Sequence, residues 1–205
     1  MVGYECEGGE DRTPGSIFHL HDLVKAEDCL MSSRSLEKAK NVKLLILDVD
    51  GVLTDGRIVI DDRGIETKFF DVRDGHGLKL LKRANIEVVI ITGRRSEVVS
   101  HRARELGIDS VYQNIHDKLE VYQAILDEKG LKDEEVGFVG DELVDLPLLK
   151  KAGFSAVVAD GIEELKPYAD YVSRNRGGRG GVREISELIL KAQGKWSELM
   201  ERYSR

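Results

Sequence analysis

Leu44-Leu45-Ile46-Leu47-Asp48-Val49-Asp50-Gly51-Val52-Leu53-Thr54-Asp55 is the stretch on which the reading of this chain turns. Its first four residues are wholly apolar. A short run of that kind, closed by a Gly-containing turn, predicts a parallel strand buried on both faces. Two acids follow at the strand's C-terminal end, where open α/β sheets hold their ligands. A carboxylate there is costly unless a cation offsets it, and a divalent metal is the usual one. With a phosphate held by that metal, the first carboxylate is placed to attack phosphorus and the second to handle the proton. The stretch predicts a phosphoryl-transfer site.

Outward from it, apolar runs and helical patterns alternate. Strands are expected over 43–47, 87–91, 111–112, 136–139 and 156–158, with helices over 77–84, 97–106, 118–129, 145–152 and 162–168. Alternation of this kind predicts right-handed βαβ units, and so an α/β fold: a Rossmann-like three-layer sandwich around a central parallel sheet. One piece breaks the pattern. Residues 57–60, a turn at 61–64 and residues 65–70 read as a β-hairpin inserted straight after the acidic strand. It is too small for a cap domain and is expected to stand over the site as a flap. Such light cover suits a large substrate or a lid borrowed from another subunit. Near the C-terminus, Gly177-Gly178-Arg179-Gly180-Gly181 precedes a helix whose apolar face is Val182, Ile185, Leu188, Ile189 and Ala192. Beyond Gly194, the spacing of Trp196, Leu199 and Tyr203 fits a helix packed either on its own domain or on a neighbouring subunit.

Composition bounds the rest. The chain has 205 residues, 34% charged and 41% hydrophobic, the profile of a globular protein with one core. A net charge of −7 argues against general nucleic-acid or anionic-membrane affinity, so an anionic substrate needs a local cluster of cations. No apolar stretch is long enough for a membrane span. The two cysteines, Cys6 and Cys29, demand no disulfide, and a reducing cytoplasm is the simpler expectation. The first thirty residues are acidic and irregular, without signal-peptide order, and read as a disordered extension or a mis-assigned upstream start. His19, His21 and Asp22 carry ligand-type side chains but lack a scaffold. The expected division is an extension over 1–35, a phosphoryl-transfer domain over 36–193, and a tail over 194–205, a possible lid on a neighbouring subunit.

Four clusters fall at successive strand ends. Asp48 and Asp50 would share a face on a regular strand, and in the bend after it Asp50 can swing beside a leaving oxygen. Asp48 is the candidate nucleophile, forming an aspartyl-phosphate. Asp50 is the candidate general acid and then base, with its backbone carbonyl a candidate metal contact. Thr92-Gly93 offers a hydroxyl and backbone N–H groups to a phosphate oxygen, although a plain turn would look the same. Lys118, after Asp117 at a helix start, is a point cation able to offset repulsion between a carboxylate and a phosphate; alone it would read as a surface lysine. Gly140-Asp141-Glu142-Leu143-Val144-Asp145 closes the set. Asp141 is placed to complete a Mg²⁺ shell with Asp48. Asp145 orients that shell or caps the next helix, and Glu142 faces solvent.

Together these clusters resemble the Asp-x-Asp, Thr, Lys and Gly-Asp-x-x-x-Asp motifs of the haloacid dehalogenase superfamily, in order, over about residues 40–195. Residues 48–55, Phe69-Phe70-Asp71-Val72-Arg73-Asp74-Gly75, Ile91-Thr92-Gly93-Arg94-Arg95, the stretch 177–184 and Ala192-Gln193-Gly194-Lys195 are similar to the 3-deoxy-D-manno-octulosonate 8-phosphate (KDO 8-phosphate) phosphatase family. The resemblance implies a capless, Mg²⁺-dependent phosphomonoesterase. It implies a cytoplasmic homotetramer serving lipopolysaccharide precursor synthesis, with a neighbour's hairpin and tail helping to close each site. By it, Asp48, Asp50 and Asp141 hold the metal, and Asp48, Asp50, Thr92 and Lys118 carry catalysis. Substrate contacts fall to Asp50, Asp71, Val72, Arg73, Asp74, Gly75, Lys79, Arg94, Arg102 and Lys118. A substrate with a phosphate at one end and a carboxylate at the other needs such cations, and Arg94 and Arg102, two helical turns apart, are expected on one face. Three positions depart from the family pattern: Asp71 for Asn, Glu142 for Asp and Lys79 for Arg.

Two rivals stand beside this reading. One is a phosphatase for a nine-carbon keto-acid 9-phosphate. There the resemblance makes Arg94 the discriminating residue, favouring eight carbons. The other is a non-enzymatic phosphoacceptor module, which would also place Asp, Thr and Lys at strand ends. A signalling module has no need of a general acid at Asp50. An inactive partner domain is disfavoured by the complete set of five residues.

Overall fold

Leu44–Leu47 forms the predicted strand, β1, and lies at the centre of the sheet. The computed structural model describes residues 34–204. Cys6, Cys29 and the His19, His21 and Asp22 set lie outside the described residues, as does nearly all of the expected extension. At Ser35 the chain is buried and its hydroxyl donates to the Asp170 carbonyl.

Around β1 the elements are β2 (Val59–Ile60), β3 (Glu66–Thr67), α1 (Val72–Arg83), β4 (Glu87–Ile91), α2 (Glu97–Leu106) and β5 (Val111–Tyr112). They continue with α3 (Lys118–Lys129), β6 (Val136–Gly140), α4 (Leu146–Lys151), β7 (Phe154–Val157), β8 (Tyr171–Val172), α5 (Gly181–Ala192) and α6 (Trp196–Glu201). The main sheet runs β5-β4-β1-β6-β7-β8, every pairing parallel. The chain builds outward from β1 to β5, then returns to β1's other side with β6. That reversal opens a crevice at the C-terminal ends of β1, β4 and β6.

Period-two alternation divides the strand side chains between two cores. Leu45 and Leu47 of β1, with Val88 and Ile90 of β4, meet α1, α2 and α5 on one face. Leu44, Ile46, Val89, Ile91 and Phe138 meet α3 and α4 on the other. These are the three expected layers. Caps set the ends of α3: Asp117 accepts from the N–H groups of Leu119 (2.9 Å) and Glu120 (3.4 Å), and Gly130 closes it at φ 63°.

Several expectations need correction. Helix α1 starts at Val72, not at 77, with Asp71 as its cap. The glycines at 75 and 77 look like a loop in sequence, yet they let α1 press against its neighbours: a Cβ on Gly77 would sit 3.1 Å from Arg183 Cα. The segment Glu163–Tyr168 is a 3₁₀ helix that contains Pro167, whose ring and missing N–H disfavour the expected α-helix. Strand β7 begins two residues before the expected 156, and the short β8 was not expected at all. The hairpin forms, but its ladder is confined to Val59–Ile60 against Glu66–Thr67. Its turn is held by Asp61, which accepts from the N–H groups of Arg63 (3.0 Å) and Ile65 (2.8 Å).

The described tail packs on its own domain. Trp196 and Leu199 lie on the α5-side core, and the Tyr203 hydroxyl accepts from Arg83 (2.7 Å) and meets His76 Nε2 at 3.0 Å.

Candidate active site

Four segments converge at the C-terminal edge of the sheet. Strand β1 delivers Asp48, buried at 7% exposure. The β1–β4 register pairs Leu47 with Ile90, so Thr92, also buried, emerges beside the same edge. The start of α3 supplies Lys118, and the turn after β6 supplies Asp141 and Asp145.

Lys118 Nζ lies 3.1 Å from Asp48 Oδ2 and 2.7 Å from Asp145 Oδ1. Asp145, fully buried, turns its other oxygen back to the N–H groups of Asp141 (2.9 Å) and Glu142 (3.3 Å). Its side chain makes no capping bond to α4. Asp145 therefore fixes both the Asp141 turn and the lysine, which resolves the two roles left open by the sequence. Glu142 is exposed, as expected.

Negative charge exceeds positive charge here. Asp48, Asp141 and Asp145 each offer a carboxylate oxygen within 4.8 Å of the others. Burial, then Asp145, pushes the Asp48 carboxyl up to about 6 despite Lys118. Burial, then Asp145 and Asp48, pushes Asp141 up to about 8. Burial works against the Lys118 ammonium, but Asp48 and Asp145 outweigh it and leave its pKa raised. Asp48 Oδ1 and Asp141 Oδ1 are buried without any hydrogen-bond partner. Two hard oxygen donors with no partner, in a cluster short of a cation, fit a small divalent ion such as Mg²⁺. Asp145 does not fit as a ligand because its oxygens are already engaged. Gly51 makes the approach possible: at φ 94°, a Cβ there would lie 1.9 Å from Asp141 Oδ2.

The Asp50 carboxylate is not part of that cluster. Its Oδ1 meets Lys68 Nζ, and its Oδ2 lies 3.6 Å from Arg94 Nε. Lys68 and Glu66 are the site residues that sequence reasoning missed. A lone lysine in a hairpin strand reads as solvent-facing, yet the Lys68 side chain is 1% exposed. Glu66 accepts from Arg94 Nη2 at 3.0 Å and from the Ser96 hydroxyl, tying the hairpin to the loop after β4.

The remaining predicted residues scatter around this centre. Arg94 precedes α2, so helical spacing does not relate it to Arg102 and the expected shared face does not hold. Arg94 turns to the hairpin, whereas Arg102 lies over Phe70 (5.7 Å to the ring centre) and pairs with Glu105 at 2.8 Å. Asp71 caps α1 and pairs with Arg73 at 2.8 Å. Arg73 also reaches the Arg179 carbonyl at 3.0 Å. Asp74 is buried and accepts from the N–H groups of Gly180 (3.1 Å) and Arg183 (2.7 Å), anchoring the start of α5. Gly75 is buried against Arg102, Val72 is exposed, and Lys79 is half-buried on α1. Beside Phe69, Phe70 and Asp71 opens a cleft of about 380 Å³, with Arg57 and Arg179 among its walls.

Comparison with known proteins agrees with this geometry. A family model described as haloacid dehalogenase-like hydrolase matches residues 71–153, which include Thr92, Lys118, Asp141 and Asp145 but not β1. The 3-deoxy-D-manno-octulosonate 8-phosphate phosphatase KdsC of Escherichia coli K12 is 47% identical over 168 residues, covering 82% of this chain and 89% of the relative. The crystal structure of the Yersinia pestis phosphatase of that name is 45% identical with a TM-score of 0.79, covering 80% of this chain and 89% of that one. The Moraxella catarrhalis enzyme, solved with a magnesium ion, a phosphate ion and a KDO molecule, is 41% identical with a TM-score of 0.82, covering 83% and 98%.

Proposed function

This chain belongs to the KDO 8-phosphate phosphatase family of haloacid dehalogenase-like hydrolases, and from that premise we propose that it hydrolyses KDO 8-phosphate to KDO and phosphate through an aspartyl-phosphate. The observation that carries the nucleophile assignment is Asp48 itself. It is a buried carboxylate with one oxygen held by Lys118 and the other without a partner.

In this reading Asp48 attacks phosphorus in line, and its new bond to phosphorus forms as the bond to the sugar oxygen breaks. The Asp50 carboxyl gives its proton to that oxygen, then takes one from the water that hydrolyses the aspartyl-phosphate. Lys118 and Thr92 hold phosphate oxygens. Arg94 and Arg102, with residues 71–75 and Lys79, hold the sugar acid. Asp48 and Asp141, with the Asp50 backbone carbonyl, would hold the Mg²⁺ ion, which would supply Lewis-acid neutralisation of phosphate charge. Membership of the family also supports a cytoplasmic homotetramer serving lipopolysaccharide precursor synthesis. The exposed apolar side chains on the hairpin, Ile58, Ile60, Ile65 and Phe69, suit burial against another subunit. Among the described residues no helix is long and apolar enough to cross a membrane.

The deciding experiment is phosphate release with Mg²⁺ from KDO 8-phosphate, a nine-carbon keto-acid 9-phosphate and simple sugar phosphates. A clear kcat/KM preference for the eight-carbon acid is expected. Preference for nine carbons would overturn the substrate, broad weak activity would overturn the pathway, and a stable phosphoprotein without turnover would overturn the hydrolase.

A further inference from the structure

We propose that Lys68 is a positioning residue for the acid–base carboxylate Asp50, held in place by Glu66; the proposal rests on the role given to Asp50 above. Lysine is almost never fully buried without a partner, because its ammonium gives up hydration. Here the side chain is 1% exposed, and its ammonium meets Asp50 Oδ1 with Glu66 Oε1 3.3 Å away. Asp50 and Lys68 come from different elements, the bend after β1 and the end of the hairpin. The contact therefore fixes the Asp50 rotamer from outside its own loop.

It also makes the two Asp50 oxygens unlike. Oδ1 is committed to Lys68, whereas Oδ2 faces Arg94 Nε at 3.6 Å, beyond hydrogen-bond distance, and is the oxygen free to carry a proton to and from the reacting oxygens. Glu66 holds the arrangement in register by bonding Arg94 and Ser96 as well as facing Lys68. The hairpin thereby contributes to the chemistry of its own subunit. A proton transfer that depends on alignment loses rate when the donor is free to rotate.

Leaving groups separate this role from a structural one. Loss of a sugar alkoxide needs the Asp50 proton, whereas 4-nitrophenolate leaves without help. With both substrates kcat/KM reports the phosphorylation half-reaction. Lys68→Met is expected to lower kcat/KM for KDO 8-phosphate by roughly 10- to 100-fold, part of the ~10²- to 10⁴-fold that general acid–base catalysis supplies. The loss with 4-nitrophenyl phosphate should be no more than about threefold, most of the sugar-phosphate loss should lie in kcat rather than KM, and Lys68→Arg should restore part of it. If Lys68→Met does not accumulate folded, Glu66→Gln tests the same asymmetry with less disturbance. Equal losses on the two substrates would overturn the proposal in favour of a phosphate-binding or packing role, and so would no loss. Asp50→Asn is measured alongside. If it fails to discriminate between the substrates, the acid–base reading falls and Lys68's role with it. If it discriminates and the Lys68 variant does not, only the present proposal falls.

Discussion

Replacing Asp141 by Asn removes one charge from the buried cluster at nearly constant volume. In the metal-free protein the Asp141 carboxyl is pushed from 3.8 up to about 8, by burial first and then by Asp145 and Asp48. A carboxyl whose folded pKa exceeds its unfolded value ionises first in the unfolded chain. It costs nothing below about pH 4, and it destabilises the fold progressively up to its folded pKa. At about 1.4 kcal/mol per pH unit, the rise from about pH 5 to about pH 8 amounts to roughly 4 kcal/mol. Water reaching the open side of the site reduces this to roughly 2–4 kcal/mol. Asp48, raised to about 6, adds a loss of the same sign over the lower part of the window. The assay is urea unfolding across that range, in chelator and in saturating Mg²⁺. Metal-free wild type should lose stability as pH rises, Asp141→Asn should be flatter and the more stable of the two near pH 8, and Mg²⁺ should stabilise wild type far more than the variant. A wild-type curve that is flat or rising in chelator, or a variant no more stable than wild type near pH 8, would refute the reasoning.

Three further outcomes follow from the same geometry. Asp48→Asn should leave the fold intact and abolish turnover, and acid-quenched mass spectrometry should find no phosphoenzyme; residual activity would remove Asp48 as nucleophile. Lys118→Met leaves Asp48 and Asp145 facing each other without their shared cation, so metal-free protein near neutral pH should lose about 3–5 kcal/mol by denaturant titration. Gly51→Ala places a Cβ where Asp141 Oδ2 now lies, at φ 94°. Calorimetric titration should show Mg²⁺ affinity lowered at least tenfold, and unchanged affinity would show that the two segments do not share the metal site.

What was legible in the sequence was what local chemistry fixes. The apolar run of β1 and the two acids after it could be read directly. The ends of α2 and α3 could be read as well, because Asp117 caps one helix and Gly107 and Gly130 close the two in the left-handed region. Illegible were features set by what lies opposite in space. The start of α1 was hidden because its glycines serve close packing against α5 and Arg102, a property of the partner surface. Asp145 reads equally as a helix cap or as support for the acidic cluster, and only the position of Lys118 opposite reveals its use. Arg94 and Arg102 matched helical spacing, but the helix begins between them at Glu97. Lys68 gave no signal at all, since alternation in a two-residue ladder does not say which side a flap turns inward.

The order of the strands has a consequence for how this protein comes into being. Strand β6, which brings the Asp141 turn, joins β1 on the side away from β4, and about a hundred residues of chain separate β1 from that turn. Pairings across such a separation close slowly, because the loop entropy is lost before any contact compensates it. A nascent or refolding chain can therefore hold β1, β4 and α1 in place while lacking the Asp141 half of the proposed metal site. On the proposed reading, capture of the ion waits for β6 to join β1, so that it would act on the finished sheet as a latch rather than as a seed.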